Sequence, residues 1–174
     1  MKRSALLALL IVAALAAPLA SAAPRDRDRD GGTEYLRNVF PVKGPHWTRG
    51  YIGTFGAPRD GGRTHEGFDI VANCGTELVA AATGKVTHVG YDPVLYGNYL
   101  EIHGAGEDRS YFYAHLIRPP LVHKGEAVWA GERVGAVGKT GNAITVGCHL
   151  HFELHVHGVA VNPEPELRRW DRYS

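Results

Sequence analysis

The sequence predicts an all-β domain, an antiparallel β-sandwich or barrel-like fold, from three observations. Short apolar runs alternate with turn residues, and no window of about eleven residues has the apolar spacing of a helix. Residues 149–157 alternate strictly between polar and apolar side chains, as a half-buried strand does. Many short strands separated by turns are typical of a sandwich or barrel. The predicted strands cover residues 77–82, 85–91, 99–103, 110–116, 127–130, 133–137, 149–156 and 159–161.

The start of the chain has the pattern of a secretory signal peptide, residues 1–22. Lys2 and Arg3 form a basic start, and residues 6–16 form an apolar run too short to span a bilayer comfortably. Residues 20–22, Ala-Ser-Ala, are a small-x-small cleavage site. We therefore expect an exported protein, in a periplasm, a cell wall or outside the cell. The alternative is an uncleaved anchor.

The remaining chain divides into four segments that differ in composition. Residues 23–33 are charged and end in Gly-Gly-Thr, which predicts a disordered tether. Residues 34–50 contain scattered apolar side chains and predict an extended lead-in. Residues 51–165 hold the predicted strands and form the β domain, and residues 166–174 form a C-terminal tail.

The charge of the chain argues against nucleic-acid binding, and its length fits a single domain. The chain has 174 residues, with 19 Lys plus Arg and 18 Asp plus Glu. Removing the signal deletes Lys2 and Arg3 and no acidic residue, so the net charge becomes −1. Such a balance gives no basis for binding nucleic acid. A second hydrophobic span is absent from the sequence, so the mature chain has no predicted transmembrane segment, and its length fits one domain. We expect a monomer.

The polar face of the strand at residues 149–157 carries four histidines and one glutamate. Neutral imidazole is the commonest metal ligand and titrates near physiological pH, so this face indicates metal or acid–base chemistry. The alternative is a solvated face that happens to be rich in histidine. Same-face neighbours lie about 6.6 Å apart, so His149 and His151 can serve one site. By the same rise per residue, His157 lies about 20 Å from His151 along the strand. We therefore expect His155 and His157 to be ordinary surface residues.

His65 and Asp69 form a second candidate pair. In a straight strand they would lie about 13 Å apart, so one ion can bind both only if the chain bends, and Gly67 permits that bend. The alternative is a turn histidine and an exposed aspartate. Catalytic zinc takes three protein ligands and keeps one position for water. His65, Asp69 and either His149 or His151 could supply those three, with the other histidine beside the water.

His115 is a further candidate. It follows Tyr113 and Ala114 in a predicted strand, and strand alternation places it on the face of Tyr111 and Tyr113. The alternative is a surface or core-edge histidine with no catalytic role.

The two cysteines, Cys74 and Cys148, predict one disulfide in an exported chain. Closing so long a loop could contribute roughly 4 kcal/mol on the chain-entropy model. The alternative is that Cys148 is a zinc ligand, but strand alternation points it away from His149 and His151.

The order of motifs resembles that of the lysostaphin-type, LytM-like peptidoglycan metallopeptidases. The resemblance covers about residues 51–163 and rests on several motifs in sequence. They are Phe55-Gly56, His65-Glu66-Gly67-Phe68-Asp69-Ile70, residues 75–86, Gly97-Asn98-Tyr99, Tyr113-Ala114-His115-Leu116, Thr140-Gly141-Asn142 and His149-Leu150-His151-Phe152-Glu153.

The resemblance implies an antiparallel β fold with one zinc ion in a groove. It implies that His65, Asp69 and His151 bind the ion, and that His115 and His149 orient or deprotonate the attacking water and stabilise the oxyanion. The implied activity is hydrolysis of peptide bonds in peptidoglycan crosslinks or stem peptides.

The family also contains members that lost ligands and act by binding cell-wall amidases, so a non-catalytic module is the first alternative. A bacteriocin-like endopeptidase is the second. Glu153 is interpreted as support for the site or as a solvated edge, not as the catalytic base.

One departure from the family pattern is Cys148, where proline usually precedes the His-x-His pair. If Asp69 and His151 meet at one ion, Cys74 and Cys148 can be neighbours. We therefore predict that their disulfide braces the site.

Overall fold

The computed structural model describes residues 38–171, which contain eleven strands and one α-helix. The strands are β1 (Val42–Lys43), β2 (His46–Thr48), β3 (Phe68–Ala72), β4 (Glu77–Val79), β5 (Gly84–Asp92), β6 (Gly97–Gly104), β7 (Arg109–Leu116), β8 (Ala127–Val128), β9 (Arg133–Ala136), β10 (His149–Val156) and β11 (Val159–Val161). The helix is α1 (Glu164–Trp170). Short 3-10 turns cover Tyr51–Gly53, Asp60–Gly62 and Gly141–Thr145.

The strands form two antiparallel sheets, which confirms the predicted fold class. The larger sheet has the order β2-β3-β10-β7-β6-β5-β8, with β11 paired to β10, and the smaller has the order β1-β4-β9. The larger sheet ends at β2 and β8, so the described residues form no closed barrel. Strand β10 lies between β3 and β7, so it is an interior strand of the sheet.

The core lies between the sheets. On β10 the apolar side chains Leu150, Phe152 and Leu154 are all buried, as the alternation predicts. Phe152 lies opposite Tyr113 of β7, and their rings meet edge to face at 5.3 Å. The Tyr113 hydroxyl donates to the carbonyl of Val79 at 3.1 Å in the smaller sheet. This buried polar contact ties the two sheets together.

The described part of the lead-in pairs with both sheets, because β1 pairs with β4 and β2 with β3. Helix α1 crosses the boundary predicted at residue 165, and it buries Leu167. Its acidic first turn and basic last turn suit the helix dipole. The predicted signal (1–22) and tether (23–33) lie outside the described residues. Across residues 38–171, none of the helices has the length and apolar character needed to span a bilayer.

Candidate metal centre

Strand pairing places Asp69 and His151 side by side. Asp69 of β3 lies directly opposite His151 of β10, so both side chains point to the same face of the sheet. His65 reaches the same place because the chain bends before β3. A Cβ at Gly67 would lie 2.6 Å from the carbonyl oxygen of Phe152 and 2.8 Å from His151 Cε1, so only glycine permits this approach. All three polar side chains are buried.

Three atoms of these residues form a nearly equilateral triangle. His65 Nε2 lies 3.0 Å from Asp69 Oδ1, His151 Nδ1 lies 3.1 Å from the same oxygen, and the two nitrogens lie 2.9 Å apart. Ligands at about 2.0–2.1 Å around a tetrahedral zinc ion lie about 3.3 Å apart. The triangle is therefore only a few tenths of an ångström smaller than a zinc site requires.

Hydrogen bonds on the far side of each ring fix which nitrogen is free. His65 Nδ1 lies 2.8 Å from the carbonyl of Thr54, to which it can only donate, so Nε2 carries the lone pair. His151 is turned the other way: Nε2 lies 2.7 Å from Glu153 Oε1, which leaves Nδ1 facing the triangle. In its neutral form each ring thus presents a lone pair to the same point, with the outer hydrogen bond that is typical of metal-bound histidine.

The charges favour a cation at this point. Burial raises the pKa of Asp69, but hydrogen bonds from His151 and His65 lower it more strongly, so the carboxylate is ionised. Burial lowers the pKa of His151, yet hydrogen bonds to Asp69 and Glu153 raise it to about 9. A proton is therefore held among the three atoms. A divalent cation can replace that proton and satisfy three lone pairs at once, so the residues fit a zinc ion.

His115 reaches the site through a strained backbone. Its φ of 65° is in the left-handed region, which is uncommon for a residue other than glycine. Alternation predicted that it shares the face of Tyr111 and Tyr113, whose side chains are buried in the core, and that prediction is wrong. The ring instead lies 4.8 Å from the His149 ring and 5.8 Å from the His151 ring, centroid to centroid. A Cβ at Gly138 would lie 2.6 Å from the His115 carbonyl, so the close backbone contact that accompanies this turn needs glycine.

His115 and His149 are held as neutral bases. Their Nδ1 atoms lie 2.9 Å from the carbonyls of Thr140 and Gly147, so Nε2 is unprotonated in each. Burial and the neighbouring histidines lower the pKa of His115 to about 3, and burial lowers the pKa of His149. His149 Nε2 lies 3.8 Å from Asp69 Oδ1, beside the triangle and not in it. Both imidazoles therefore present an unprotonated Nε2 to the site.

The polar face of β10 is covered, which the sequence did not predict. Glu153 is buried, so it is not a solvated edge, and its Oε2 accepts a hydrogen bond from His155 Nε2 at 2.8 Å. His155 is only half-buried and is tied to the site through Glu153, so its interpretation as an ordinary surface residue is wrong. His157 is exposed, as expected. The alternation continues past His151, and this pattern was the sequence signal that placed Glu153 on the same face as the site.

Two arginines contact the outer oxygen of Asp69. Arg49 Nη1 and Arg59 Nη2 each lie 3.4 Å from Oδ2. Burial lowers the pKa of Arg59, Asp69 opposes that shift, and the nearby charges of Arg49 and Arg63 add to it. The sequence held no spacing rule that would have found these contacts, because both arginines come from irregular segments.

The structure contains the predicted disulfide between Cys74 and Cys148, whose Cα atoms lie 5.3 Å apart. It joins the segment after β3 to the residue before β10, and so ties together the strands that carry Asp69 and His151. This bond accounts for Cys148, which is not a metal ligand here.

The site opens into a groove of about 420 Å³. Within the described lead-in, residues 38–50, only Arg49 lines this groove. Apart from Arg49, the described part of the lead-in therefore adds nothing to the walls of the groove.

An antiparallel β domain that gathers two histidines and an aspartate at the base of an open groove, beside two neutral histidines, has the make-up of a metallopeptidase. The chain belongs to peptidase family M23, whose family model matches residues 63–163.

Three curated relatives resemble this domain. An uncharacterized metalloprotease of Haemophilus influenzae is 40% identical over 101 residues, 58% of this chain and 20% of the relative. The peptidoglycan DD-endopeptidase ShyC of Vibrio cholerae is 39% identical over 103 residues, 58% of this chain and 22% of the relative. The murein hydrolase activator NlpD of Escherichia coli is 36% identical over 112 residues, 64% of this chain and 27% of the relative. The chain therefore spans about a quarter or less of the length of these relatives.

Two solved structures share the fold. A zinc-containing peptidase from Vibrio cholerae is 30% identical with a TM-score of 0.63, covering 73% of this chain and 39% of that one. The catalytic domain of lysostaphin from Staphylococcus simulans is 30% identical with a TM-score of 0.59, covering 66% of this chain and 89% of that one.

Proposed function

We propose that this protein is an exported zinc metalloendopeptidase that hydrolyses peptide bonds in the crosslinks or stem peptides of peptidoglycan. The observation that carries the proposal is the complete set of five residues around one open groove. His65, Asp69 and His151 would hold the zinc ion, and His115 and His149 would serve the reaction. The similarity to a peptidoglycan endopeptidase supports the substrate class.

The chain's own residues supply acid–base chemistry. Zinc bound at the triangle would act as a Lewis acid toward the substrate carbonyl and would activate water at neutral pH. His115 Nε2 and His149 Nε2 are free to accept the proton of the attacking water. The imidazolium formed there can stabilise the oxyanion and then return the proton to the leaving amine. The hydrogen bond from His151 Nε2 to Glu153 would keep the lone pair of His151 Nδ1 available to zinc.

A second candidate function is activation of a cell-wall amidase, because one relative is a murein hydrolase activator. An activator needs a binding surface and no metal chemistry. The retained five residues and their fixed tautomers are not required for that role, so they favour the enzyme.

The test is incubation of the mature, zinc-loaded protein with purified sacculi, with and without a chelator. We expect release of soluble fragments with new amino and carboxyl ends, abolished by the chelator and restored by zinc. A matched control is His157→Ala, an exposed histidine outside the groove, which should release fragments at the wild-type rate. No release by the metal-loaded protein, combined with stimulation of an added amidase, would overturn the enzyme proposal in favour of the activator.

A further inference from the structure

Three arginines line the groove, Arg49, Arg59 and Arg63, and all come from the segment between β2 and β3. Uncharged side chains, among them Tyr96 and Val146, line it as well. A peptide bound in the groove can therefore reach guanidinium groups and uncharged side chains.

The contacts of Arg49 and Arg59 leave donors available. Among the described residues, Asp69 is the ion-pair partner of both, and both reach the same oxygen at 3.4 Å. Arg59 also lies 3.3 Å from the carbonyl of Pro58. These distances exceed the usual 2.7–3.2 Å of an N–H···O bond, and each guanidinium has five N–H donors. Their side chains are 31% and 21% exposed, so a ligand can reach them.

Within residues 38–171, Arg49 and Arg59 together have fewer carboxylate partners than positive charges. Two positive groups share one carboxylate, and the other oxygen of that carboxylate faces the metal triangle. Glu153, the buried carboxylate nearby, is already engaged by His151 and His155. Asp60 and Glu66 also line the groove, but both are exposed and neither forms an ion pair with the two arginines. The planar guanidinium fork matches a carboxylate in two-point contact.

We propose that Arg49 and Arg59 form a subsite that binds a free carboxylate of the peptide substrate next to the scissile bond. This inference rests on the proposed function, because it names the substrates that the same groove selects. The arginines are specificity-determining residues, and the uncharged side chains of the groove receive the uncharged part of the peptide.

The test uses muropeptides released from sacculi by a muramidase, half of them treated with carbodiimide and ammonium chloride to convert free carboxylates to carboxamides. We expect the zinc-loaded wild-type protein to cleave the treated peptides with a kcat/KM about 10- to 100-fold lower, the loss expected for one hydrogen bond to a charged group. The loss should lie mainly in KM. Arg59→Gln should show a similar loss on untreated peptides and little further loss on treated ones.

Controls separate the subsite from the metal. Arg133→Gln removes a cation from the smaller sheet and should keep the wild-type preference for untreated peptides. Zinc content is measured in each variant. If the Arg59→Gln protein binds less zinc, the Arg49→Gln protein is compared with wild type in its place. The preference of the wild-type protein for untreated peptides is an independent measurement.

A binding measurement keeps the inference testable without turnover. His115→Ala protein is sedimented with untreated and with amidated sacculi, and we expect at least about tenfold weaker binding to the amidated material. Equal cleavage and equal binding of both materials would overturn the subsite while leaving the endopeptidase intact. Absence of cleavage with binding that still depends on carboxylates would overturn the proposed function alone. Binding that survives amidation but is lost in Arg59→Gln would indicate a phosphate polymer and overturn the carboxylate assignment.

Discussion

Replacing Glu153 by glutamine should weaken zinc binding without removing a ligand. Glu153 Oε1 accepts a hydrogen bond from His151 Nε2 at 2.7 Å, and both side chains are buried, with residue exposures of 4% and 7%. Burial raises the pKa of Glu153, but the bonds from His151 and His155 lower it to about 2, so the group is a carboxylate. Glutamine keeps the shape and one acceptor oxygen but loses the charge.

The expected loss follows from that change. A hydrogen bond to a charged group contributes about 1.5–3 kcal/mol and a neutral one about 0.5–1.5 kcal/mol. The difference of about 1–1.5 kcal/mol corresponds to roughly tenfold weaker zinc binding. Glu153→Ala leaves the His151 N–H without this acceptor, so we expect about 100-fold weaker binding, the upper end for loss of an outer hydrogen bond to a metal ligand.

The assay is competition for zinc between the protein and a chromophoric chelator at fixed pH. Glu101→Gln is the matched control, because Glu101 approaches His155 at 3.8 Å and does not contact His151. We expect its zinc affinity to stay within about twofold of wild type. Equal affinities of wild type, Glu153→Gln and Glu153→Ala would refute the claim that Glu153 orients His151.

Three further outcomes are expected. His151→Ala should lose stoichiometric zinc, because it removes one of three converging lone pairs; retention of one zinc per chain by elemental analysis would contradict the ligand assignment. His115→Ala should keep zinc but lose about 10²- to 10⁴-fold in turnover of sacculi, as expected for a general acid–base group; turnover near wild type would assign that role to His149. Cys74→Ser, which breaks the bond to Cys148, should lower the free energy of unfolding by roughly 4 kcal/mol in denaturant titrations; an unchanged transition midpoint would show that the disulfide adds no stability.

Local patterns in the sequence were sufficient to predict strand β10 and to single out His65 and Asp69 as a candidate pair. Period-two alternation is a direct consequence of strand geometry, so the burial of Leu150, Phe152 and Leu154 follows from it. A bend at Gly67 brings His65 toward Asp69, and the close approach of the Phe152 carbonyl excludes a side chain at this position.

Contacts between residues far apart in the chain explain the features of the site that could not be predicted from the sequence. His115 leaves its predicted face because its backbone turns left-handed where it meets Gly138, a contact between residues far apart in the chain. Glu153 is buried because both faces of β10 are covered, whereas alternation predicts one solvated face. Arg49 and Arg59 meet Asp69 only after irregular segments have folded over the sheet.

The position of β10 has a consequence for synthesis. Two of the three converging groups, on His65 and Asp69, come from one short segment, but the third lies 82 residues after Asp69, on a strand that must insert between β3 and β7. A nascent chain that has not reached residue 149 has neither the triangle nor the strand that joins β3 to β7. Latency until β10 has been made is thus a property of the strand order itself.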